Sequence, residues 1–253
     1  MMNDIISTLP EHDGTIVYLD DGLFLSSAAP ARNAIVLQHL EITHVLNCTG
    51  YVKGSTEELR FPPTNNDGVL FADILTGGYK QIIIADENDI TYDEFMNTII
   101  NPSKEFMDSV LLVNGTTSNE QKEEELEKAL PTQRLVVHCE AGISRSSSIV
   151  IAYIMRSRNM NLLNAYNYVK SKKNNIDPNN KFLEHLLTYE NSLMNENILD
   201  DNNGMPSMNL RHHYAVKINN DFFGGSKDIV DIENALQSHD DDPGKATTFL
   251  FTE

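Results

Sequence analysis

The residues of this chain best suited to chemistry on a phosphate group are a cysteine and an arginine six positions apart, Cys139 and Arg145. The residues between them are Glu140, Ala141, Gly142, Ile143 and Ser144. A loop of this length can turn successive backbone N–H groups toward one anion, and Gly142 permits the tight curvature. The guanidinium of Arg145 can donate two parallel hydrogen bonds to phosphate oxygens. We therefore predict a phosphate-binding loop at residues 140–145.

The sequence on either side of this loop predicts the elements that hold it in place. An apolar run at residues 135–137 leads to His138 and Cys139, and an apolar segment of helical length resumes at Ile149. The pattern predicts a strand, a loop and a helix N-terminus, where free N–H groups and the positive end of the helix dipole favour a bound phosphate. The same surroundings favour the nucleophilic thiolate form of Cys139. We therefore expect Cys139 to attack phosphorus.

The order of residues in this stretch resembles a known family. His138, Cys139, five residues, Arg145 and Ser146 look like the signature loop of the cysteine-dependent protein tyrosine phosphatases. The form AGISRS at residues 141–146 is similar to the dual-specificity branch. A cysteine and an arginine at this spacing also occur in rhodanese-like and arsenate-reductase-like loops, and the other interpretation is a buried structural cysteine. The predicted strand before the loop and the helix after it favour the phosphatase interpretation.

The resemblance implies a role for each residue of the loop. Cys139 is expected to be the nucleophile, while Arg145 and the loop amides stabilise the charge on the phosphoryl group. Ser146 is expected to donate a hydrogen bond to the departing thiolate. His138 is expected to order the loop, and the alternative is a plain core histidine. The loop contains no lysine and Glu140 adds negative charge, so ligands with several phosphates, such as inositol lipids, are disfavoured.

A general acid is also expected, because the leaving oxygen must be protonated. The β-rich run QIIIA at residues 81–85 predicts a strand of the central sheet, and Asp86 follows it at once. In the family such a strand ends in a loop that bears the general acid, and Asp86 falls on that position. Asp89 is the competing candidate. For either residue, the other interpretation is a solvated acidic turn or a helix N-cap.

The resemblance covers residues 15–195 and implies the fold. It includes GLFLSS at residues 22–27 and ITHVLN at residues 42–47, and a closing phrase in which His185 stands where glutamine is usual. The implied α/β fold has a central, mostly parallel twisted sheet of about five strands flanked by helices. Residues 1–14 are predicted to be an N-terminal extension. Residues 50–78 and 114–130 are longer than the family needs and are predicted insertions.

Composition suggests the character of the C-terminal part and the surroundings of the protein. Residues 196–253 are acidic and lean toward disorder. The net charge of −18 argues against nucleic acid and anionic lipid as partners. No apolar run has membrane-spanning length, so we expect a cytoplasmic protein and leave the nucleus open. Histidines and cysteines do not cluster at ligand spacing, so we predict neither metal nor cofactor.

The resemblance implies a dual-specificity protein phosphatase of the atypical type with a catalytic domain only. Its substrates would be phosphotyrosine and phosphoserine or phosphothreonine on proteins, with mitogen-activated protein kinases among the candidate partners. The alternative is a phosphate-binding scaffold, a pseudophosphatase with little turnover. The oligomeric state is left open.

A second cysteine suggests a means of regulation. Cys48 ends a predicted strand that should neighbour the strand before Cys139, so the two sulfurs should lie close together. A reversible disulfide would then protect an oxidised Cys139. The other interpretation of Cys48 is a small buried apolar residue.

Overall fold

The computed structural model describes residues 16–49, 75–84, 90–112, 132–199 and 207–252. The chain divides into two compact units, residues 1–199 and residues 200–253. The first unit contains the predicted phosphate-binding loop. The second is a small helical unit.

The first unit is organised around a five-stranded sheet. Its strands are β1 (Val17–Asp20), β2 (Leu23–Ser26), β3 (His44–Asn47), β4 (Gly78–Gln81) and β5 (Leu135–His138). Their spatial order is β1-β2-β5-β3-β4, with β1 antiparallel to β2 and the other neighbouring pairs parallel. The central strand β5 is fully buried, which explains its unbroken apolar run. The predicted α/β fold with a mostly parallel sheet is confirmed.

Parallel pairing brings the ends of three strands to one edge of the sheet. Ser26 at the end of β2 and Asn47 at the end of β3 both lie opposite His138 at the end of β5. The residues that follow these strands therefore meet at this edge. In open parallel sheets, this carboxyl-terminal edge is where ligands bind.

Helices flank the sheet and follow the apolar pattern of the sequence. They are α1 (Ala28–Ala31), α2 (Ala34–His39), α3 (Tyr92–Glu94), α4 (Asn101–Leu111), α5 (Arg145–Ser157), α6 (Leu162–Lys172) and α7 (Asn180–Asn195). Helix α5 packs against β2 and β5, and also against α4, α6 and α7. Its residues from Ser146 to Ala152 are all buried, as expected of a central helix.

Two elements differ from the sequence predictions. The strand predicted at residues 81–85 lies earlier, because the N–H groups of Gly77 and Gly78 donate to Thr43 and start the pairing with β3 there. The helical pattern of residues 90–113 contains Pro102, which predicts an end or a kink there, but the chain runs through α3, a π-helical segment (Phe95–Ile100) and α4 without interruption. Pro102 lacks an N–H group, and the wider π turns lie just before it.

Parts of the predicted insertions lie outside the described residues. Of the insertion predicted at residues 50–78, the structure describes residues 75–78, which lead into β4. The N-terminal extension at residues 1–14 and the insertion at residues 114–130 are not among the described residues.

The disorder expected for residues 196–253 is wrong, because the second unit is helical. It forms three helices, α8 (Leu210–Phe223), α9 (Ile229–Ser238) and α10 (Pro243–Thr252). Their buried side chains are Tyr214, Ala215, Ile218, Asn219, Ile232, Ala235, Leu236, Ala246, Thr247 and Leu250. Composition averages over position and therefore missed apolar residues that recur at helical spacing. Within the described part of the chain, no helix combines the length and the apolar character needed to cross a membrane.

Candidate active site

The sulfur of Cys139 lies in a buried loop directly after β5. The residue is 2% exposed. Its Sγ accepts hydrogen bonds from the backbone N–H of Gly142 and from the hydroxyl of Ser146, each at 3.2 Å. Donors aimed at sulfur stabilise negative charge on it more than they stabilise a neutral thiol. The loop therefore holds two donors where they can stabilise negative charge that develops on the sulfur.

Gly142 is the residue that allows the loop to close over the sheet edge. Its φ is +68°, and a Cβ atom there would lie 2.6 Å from the carbonyl oxygen of Ser26. A side chain would therefore meet both backbone strain and a backbone clash. On the same edge, the N–H of Ala28 donates to the carbonyl of Glu140 at 3.0 Å. The loop thus rests on the chain that follows β2.

The loop runs directly into α5, with Arg145 as the first residue of the helix. The hydroxyl of Ser147 donates to the carbonyl of Ile143, and the hydroxyl of Ser148 donates to that of Ser144 at 2.8 Å. The guanidinium of Arg145 donates to the carbonyl of Ile84 at 3.4 Å. The first turn of α5 thus lies next to the thiol, as the sequence predicts, and its N–H groups can receive an anion.

A turn distant in sequence supports the loop from the other side. The N–H of Asp177 donates to the carbonyl of Ile143 at 2.9 Å, and the N–H of Asn179 donates to the hydroxyl of Ser144 at 3.1 Å. The side chain of Asn179 also caps α7 by accepting from the N–H of Phe182 at 2.8 Å. The residues Ile176-Asp177-Pro178-Asn179 indicate a helix boundary in the sequence, but their contact with the loop could not be predicted from it.

His138 is a neutral, fully buried group at the end of β5. Burial lowers the pKa of His138 to about 4, and the Cys139 carbonyl only partly opposes this effect. The Nδ1 atom lies 3.2 Å from that carbonyl oxygen, which can only accept, so Nδ1 carries the proton. Among the described residues, Nε2 has no hydrogen-bond partner. This geometry fits a residue that orders the loop rather than one that transfers protons.

Cys48 follows β3 and lies beside the strand that carries Cys139. Its N–H donates to the carbonyl of His138 at 2.7 Å. Both cysteines are free and buried. Burial raises the pKa of the Cys48 thiol well above its usual range, the charge of Cys139 raises it further, and Arg145 opposes this. Cys48 is therefore a neutral thiol, whereas the sulfur of Cys139 receives two hydrogen bonds.

The two candidates for the general acid, Asp86 and Asp89, lie outside the described residues, but the chain on both sides of them is described. Before them, the carbonyl of Ile84 accepts from Arg145. After them, the carbonyl of Ile90 accepts from Nε2 of His185 at 2.9 Å. The imidazole of His185 also packs against the rings of Tyr92 and Phe95, with centroid distances of 5.9 and 5.1 Å. We call the stretch that carries Asp86 and Asp89 the acidic segment. The chain before it is bonded to Arg145 of the loop, and the chain after it is bonded to His185 of α7.

The site suits an anion better than a cation. The described groups around Cys139 are donors, because the Gly142 N–H and the Ser146 hydroxyl bind its sulfur and Arg145 begins the helix that follows. In the described ranges, no group of three or more histidine, cysteine, aspartate or glutamate side chains could hold a metal ion.

Comparison with known proteins agrees with this geometry. Residues 23–192 match the family described as "Dual specificity phosphatase, catalytic domain". Human dual specificity protein phosphatase 9 is 32% identical over 171 residues, which is 68% of this chain and 35% of that protein. In Dictyostelium discoideum, MAP kinase phosphatase with leucine-rich repeats protein 3 is 32% identical over 179 residues, which is 71% of this chain and 16% of that protein. The chain therefore spans about a third or less of the length of these relatives.

A solved structure shows the same fold. The crystal structure of the human tyrosine phosphatase-like serine/threonine/tyrosine-interacting protein matches with a TM-score of 0.50 and 27% sequence identity. The match covers 71% of this chain and 97% of the human chain. The domain limits predicted at residues 14/15 and 195/196 stay predictions.

Proposed function

Because this chain belongs to the dual-specificity phosphatase family, we propose that it is a protein phosphatase that works through a phosphocysteine intermediate. The observation that carries the proposal is the pair of hydrogen bonds that Gly142 and Ser146 donate to Sγ of Cys139. They hold the sulfur at the base of the loop whose N–H groups and Arg145 can receive a phosphoryl group.

The first step transfers the phosphoryl group to the protein. The thiolate of Cys139 uses its electron pair to form a bond to phosphorus while the bond to the leaving oxygen breaks. Asp86 donates its proton to that oxygen, so an alcohol or phenol departs rather than an alkoxide. Arg145 and the loop N–H groups stabilise the negative charge spread over the phosphoryl oxygens. His138 stays neutral and keeps the Cys139 carbonyl in place.

The second step releases phosphate. Water attacks phosphorus of the phosphocysteine, the carboxylate of Asp86 accepts a proton from the water, and the sulfur leaves as a thiolate. The hydroxyl of Ser146 is already 3.2 Å from that sulfur and stabilises the charge that returns to it. The step restores both groups to their starting states.

We propose phosphorylated proteins as substrates, with hydrolysis of phosphotyrosine and of phosphoserine or phosphothreonine. The name of the Dictyostelium relative supports mitogen-activated protein kinases as candidate targets and a role in signalling. The loop supports substrates with a single phosphate, because it contains no lysine and carries Glu140. The two free thiols suit a reducing compartment such as the cytoplasm or the nucleus.

The experiment that tests the proposal is hydrolysis of an aryl phosphate and of phosphotyrosine and phosphothreonine peptides in the presence of EDTA. We expect Cys139→Ser to lose activity by more than about 10⁴-fold, because a hydroxyl is a far weaker nucleophile than a thiolate. We expect Asp86→Asn to lose about 10²-fold or more on the peptides.

Asp89→Asn is the matched control, because it removes the same charge three positions away. It should stay within about twofold of wild type. An equal or larger loss in Asp89→Asn would move the general acid to Asp89. The wild type would be a phosphate-binding scaffold rather than an enzyme if it showed no turnover but bound phosphopeptides, and if Arg145→Lys weakened that binding.

A further inference from the structure

Two buried polar residues lie side by side where β2 and β5 end. Ser26 ends β2, His138 ends β5, and the two are direct partners in the parallel register. Both residues are 0% exposed. Within the ranges that the structure describes, neither the hydroxyl of Ser26 nor Nε2 of His138 has a hydrogen-bond partner. A buried polar atom without a partner costs free energy, and pairing the two atoms would remove that cost.

The two atoms are chemically complementary. Because Nδ1 of His138 carries the proton and lies 3.2 Å from the carbonyl oxygen of Cys139, Nε2 has a lone pair and can only accept. The hydroxyl of Ser26 can donate. Partner residues of neighbouring strands have their side chains on the same face of the sheet, with Cβ atoms about 5 Å apart. A donor and an acceptor are thus at adjacent positions on one face of the sheet.

The neighbour on the other side of His138 already uses its side chain. Asn47 ends β3 and is the partner of His138 in that pair of strands. Its amide nitrogen donates to the phenol oxygen of Tyr79 at 2.9 Å. Its amide oxygen accepts from the N–H and the hydroxyl of Thr49 at 2.9 and 2.7 Å. Of the two residues that flank His138 in the sheet, Ser26 is therefore the one whose side chain makes no described hydrogen bond.

We propose that Ser26 is a positioning residue whose hydroxyl supplies the hydrogen that Nε2 of His138 accepts, directly after rotation about the Cα–Cβ bond or through one ordered water. The imidazole is then held at both nitrogens, by Ser26 at Nε2 and by the carbonyl of Cys139 at Nδ1. Because that carbonyl belongs to the residue that carries the sulfur, Ser26 acts on the position of the sulfur through His138. The effect on rate rests on the function proposed for Cys139, whereas the contact between Ser26 and His138 does not.

The contact is tested by ¹⁵N NMR of the full chain labelled at histidine, at neutral pH. His138 is uncharged there, because burial lowers its pKa to about 4. The resonance of Nε2 is assigned as the one that is missing in His138→Asn. In the wild type it should have the lower chemical shift of an imidazole nitrogen that accepts a hydrogen bond. In Ser26→Ala it should move to the higher shift of a nitrogen without a donor, because alanine removes the hydroxyl and leaves the backbone in place.

Ser103→Ala is the matched control. Ser103 lies in α4, is 1% exposed, and has a hydroxyl that lacks a hydrogen-bond partner in the described part of the chain. The substitution therefore removes the same kind of buried hydroxyl away from His138. It should leave the Nε2 resonance and the rate of aryl phosphate hydrolysis unchanged.

The rate of aryl phosphate hydrolysis tests whether Ser26 acts through His138. Ser26→Ala should lower kcat about tenfold with little change in KM, because the phosphate-binding groups stay in place while the sulfur is held less well. In His138→Asn, the side-chain amide can take the place of Nδ1, but no atom takes the place of Nε2. Adding Ser26→Ala to this variant should therefore lower the rate less than about twofold.

Three results would overturn the proposal. The first is an Nε2 resonance that is the same in the wild type and in Ser26→Ala. The second is a change of equal size in Ser103→Ala. The third is an equal loss of rate from Ser26→Ala in the wild type and in His138→Asn. If the wild type shows no turnover, the function proposed for Cys139 fails, and the NMR comparison still decides whether Ser26 binds His138.

Discussion

The loop that carries Cys139 and the segment that carries Asp86 would act on opposite sides of the same phosphoryl group, yet the chain around them is held differently. The loop is bonded along its length, to the chain after β2, to α5 and to the turn at Asp177. The acidic segment is connected at its two described ends, through Ile84 and Ile90.

This difference predicts which substitutions affect phosphate binding and which affect proton transfer. A group that binds phosphate must meet all of its oxygens at fixed positions, so errors in the loop affect folding and catalysis together. A group that delivers a proton needs one correct approach, so we expect errors in its supports to slow the substrates whose leaving group needs that proton. Substitutions in each region test this contrast.

The largest effect is expected from Gly142→Ala. The new methyl group would lie 2.6 Å from the carbonyl oxygen of Ser26, on a backbone with φ of +68°. We expect the free energy of unfolding to fall by about 3 kcal/mol and activity to fall with it. Urea denaturation measures the first quantity, and aryl phosphate hydrolysis measures the second.

Gly224→Ala is the matched control for this substitution. Gly224 has a similar φ of +59°, but a Cβ atom there meets nothing within 4 Å. We expect a loss of about 1 kcal/mol from the backbone term alone. Equal losses in the two variants would show that the close approach to Ser26 does not matter.

The second prediction concerns the pH dependence of stability through His138. Burial lowers its pKa to about 4, so the unfolded chain binds a proton more readily than the folded chain does. His138 makes its full contribution to the free energy of unfolding above pH 6.5, which is about the pKa of a histidine in the unfolded chain. As the pH falls from 6.5 toward 4, protonation favours the unfolded chain and lowers the free energy of unfolding by about 3 kcal/mol. Denaturation at several pH values should show this slope.

The variant His138→Asn separates this histidine from the other titrating groups. In this variant, the free energy of unfolding should depend less steeply on pH between about pH 6.5 and pH 4. The remaining dependence is the part that carboxylates cause. An unchanged slope would mean that His138 has the same proton affinity in both states.

The third prediction tests the acidic segment through His185. Loss of the hydrogen bond to Ile90 in His185→Ala should slow hydrolysis of phenyl phosphate about tenfold and of p-nitrophenyl phosphate much less. The reason is that a nitrophenolate leaves without protonation, so it does not need a well-placed acid. His185→Gln can still donate to Ile90 and should restore most of the rate. Equal slowing of both substrates would indicate a structural role only.

The smallest effect on basal activity is expected from Cys48→Ala, which should keep the activity within about twofold. We propose that peroxide oxidises Cys139 to a sulfenic acid, and that the thiol of Cys48 then forms a disulfide with it and releases water. After peroxide treatment, dithiothreitol should restore the activity of the wild type, whereas the activity of Cys48→Ala should stay lost. Equal recovery, or the absence of a linked Cys48–Cys139 peptide by mass spectrometry, would leave Cys48 as a small buried residue.

Much of the loop could be predicted because its residues are close together in sequence. The spacing of Cys139 and Arg145, the strand before them and the helix after them are all visible as a local pattern, and the structure has each of them. The contact between Asn179 and Ser144 could not be predicted, because it depends on how α6 returns the chain to the sheet edge. The three helices of the second unit were missed because its average composition, polar with an acidic excess, hides apolar residues that recur at helical spacing.

By itself, the sequence predicted the nucleophile and the anion-binding loop from short-range spacing and apolar runs, and the family resemblance implied the mostly parallel sheet. The tertiary structure decided what each position tolerates. Gly142 must be glycine because Ser26, more than a hundred residues earlier in the chain, lies against it. His138 is neutral because the surrounding core excludes water from it. The physical reason is the same for both, because clashes and burial depend on neighbours that only the folded chain brings together.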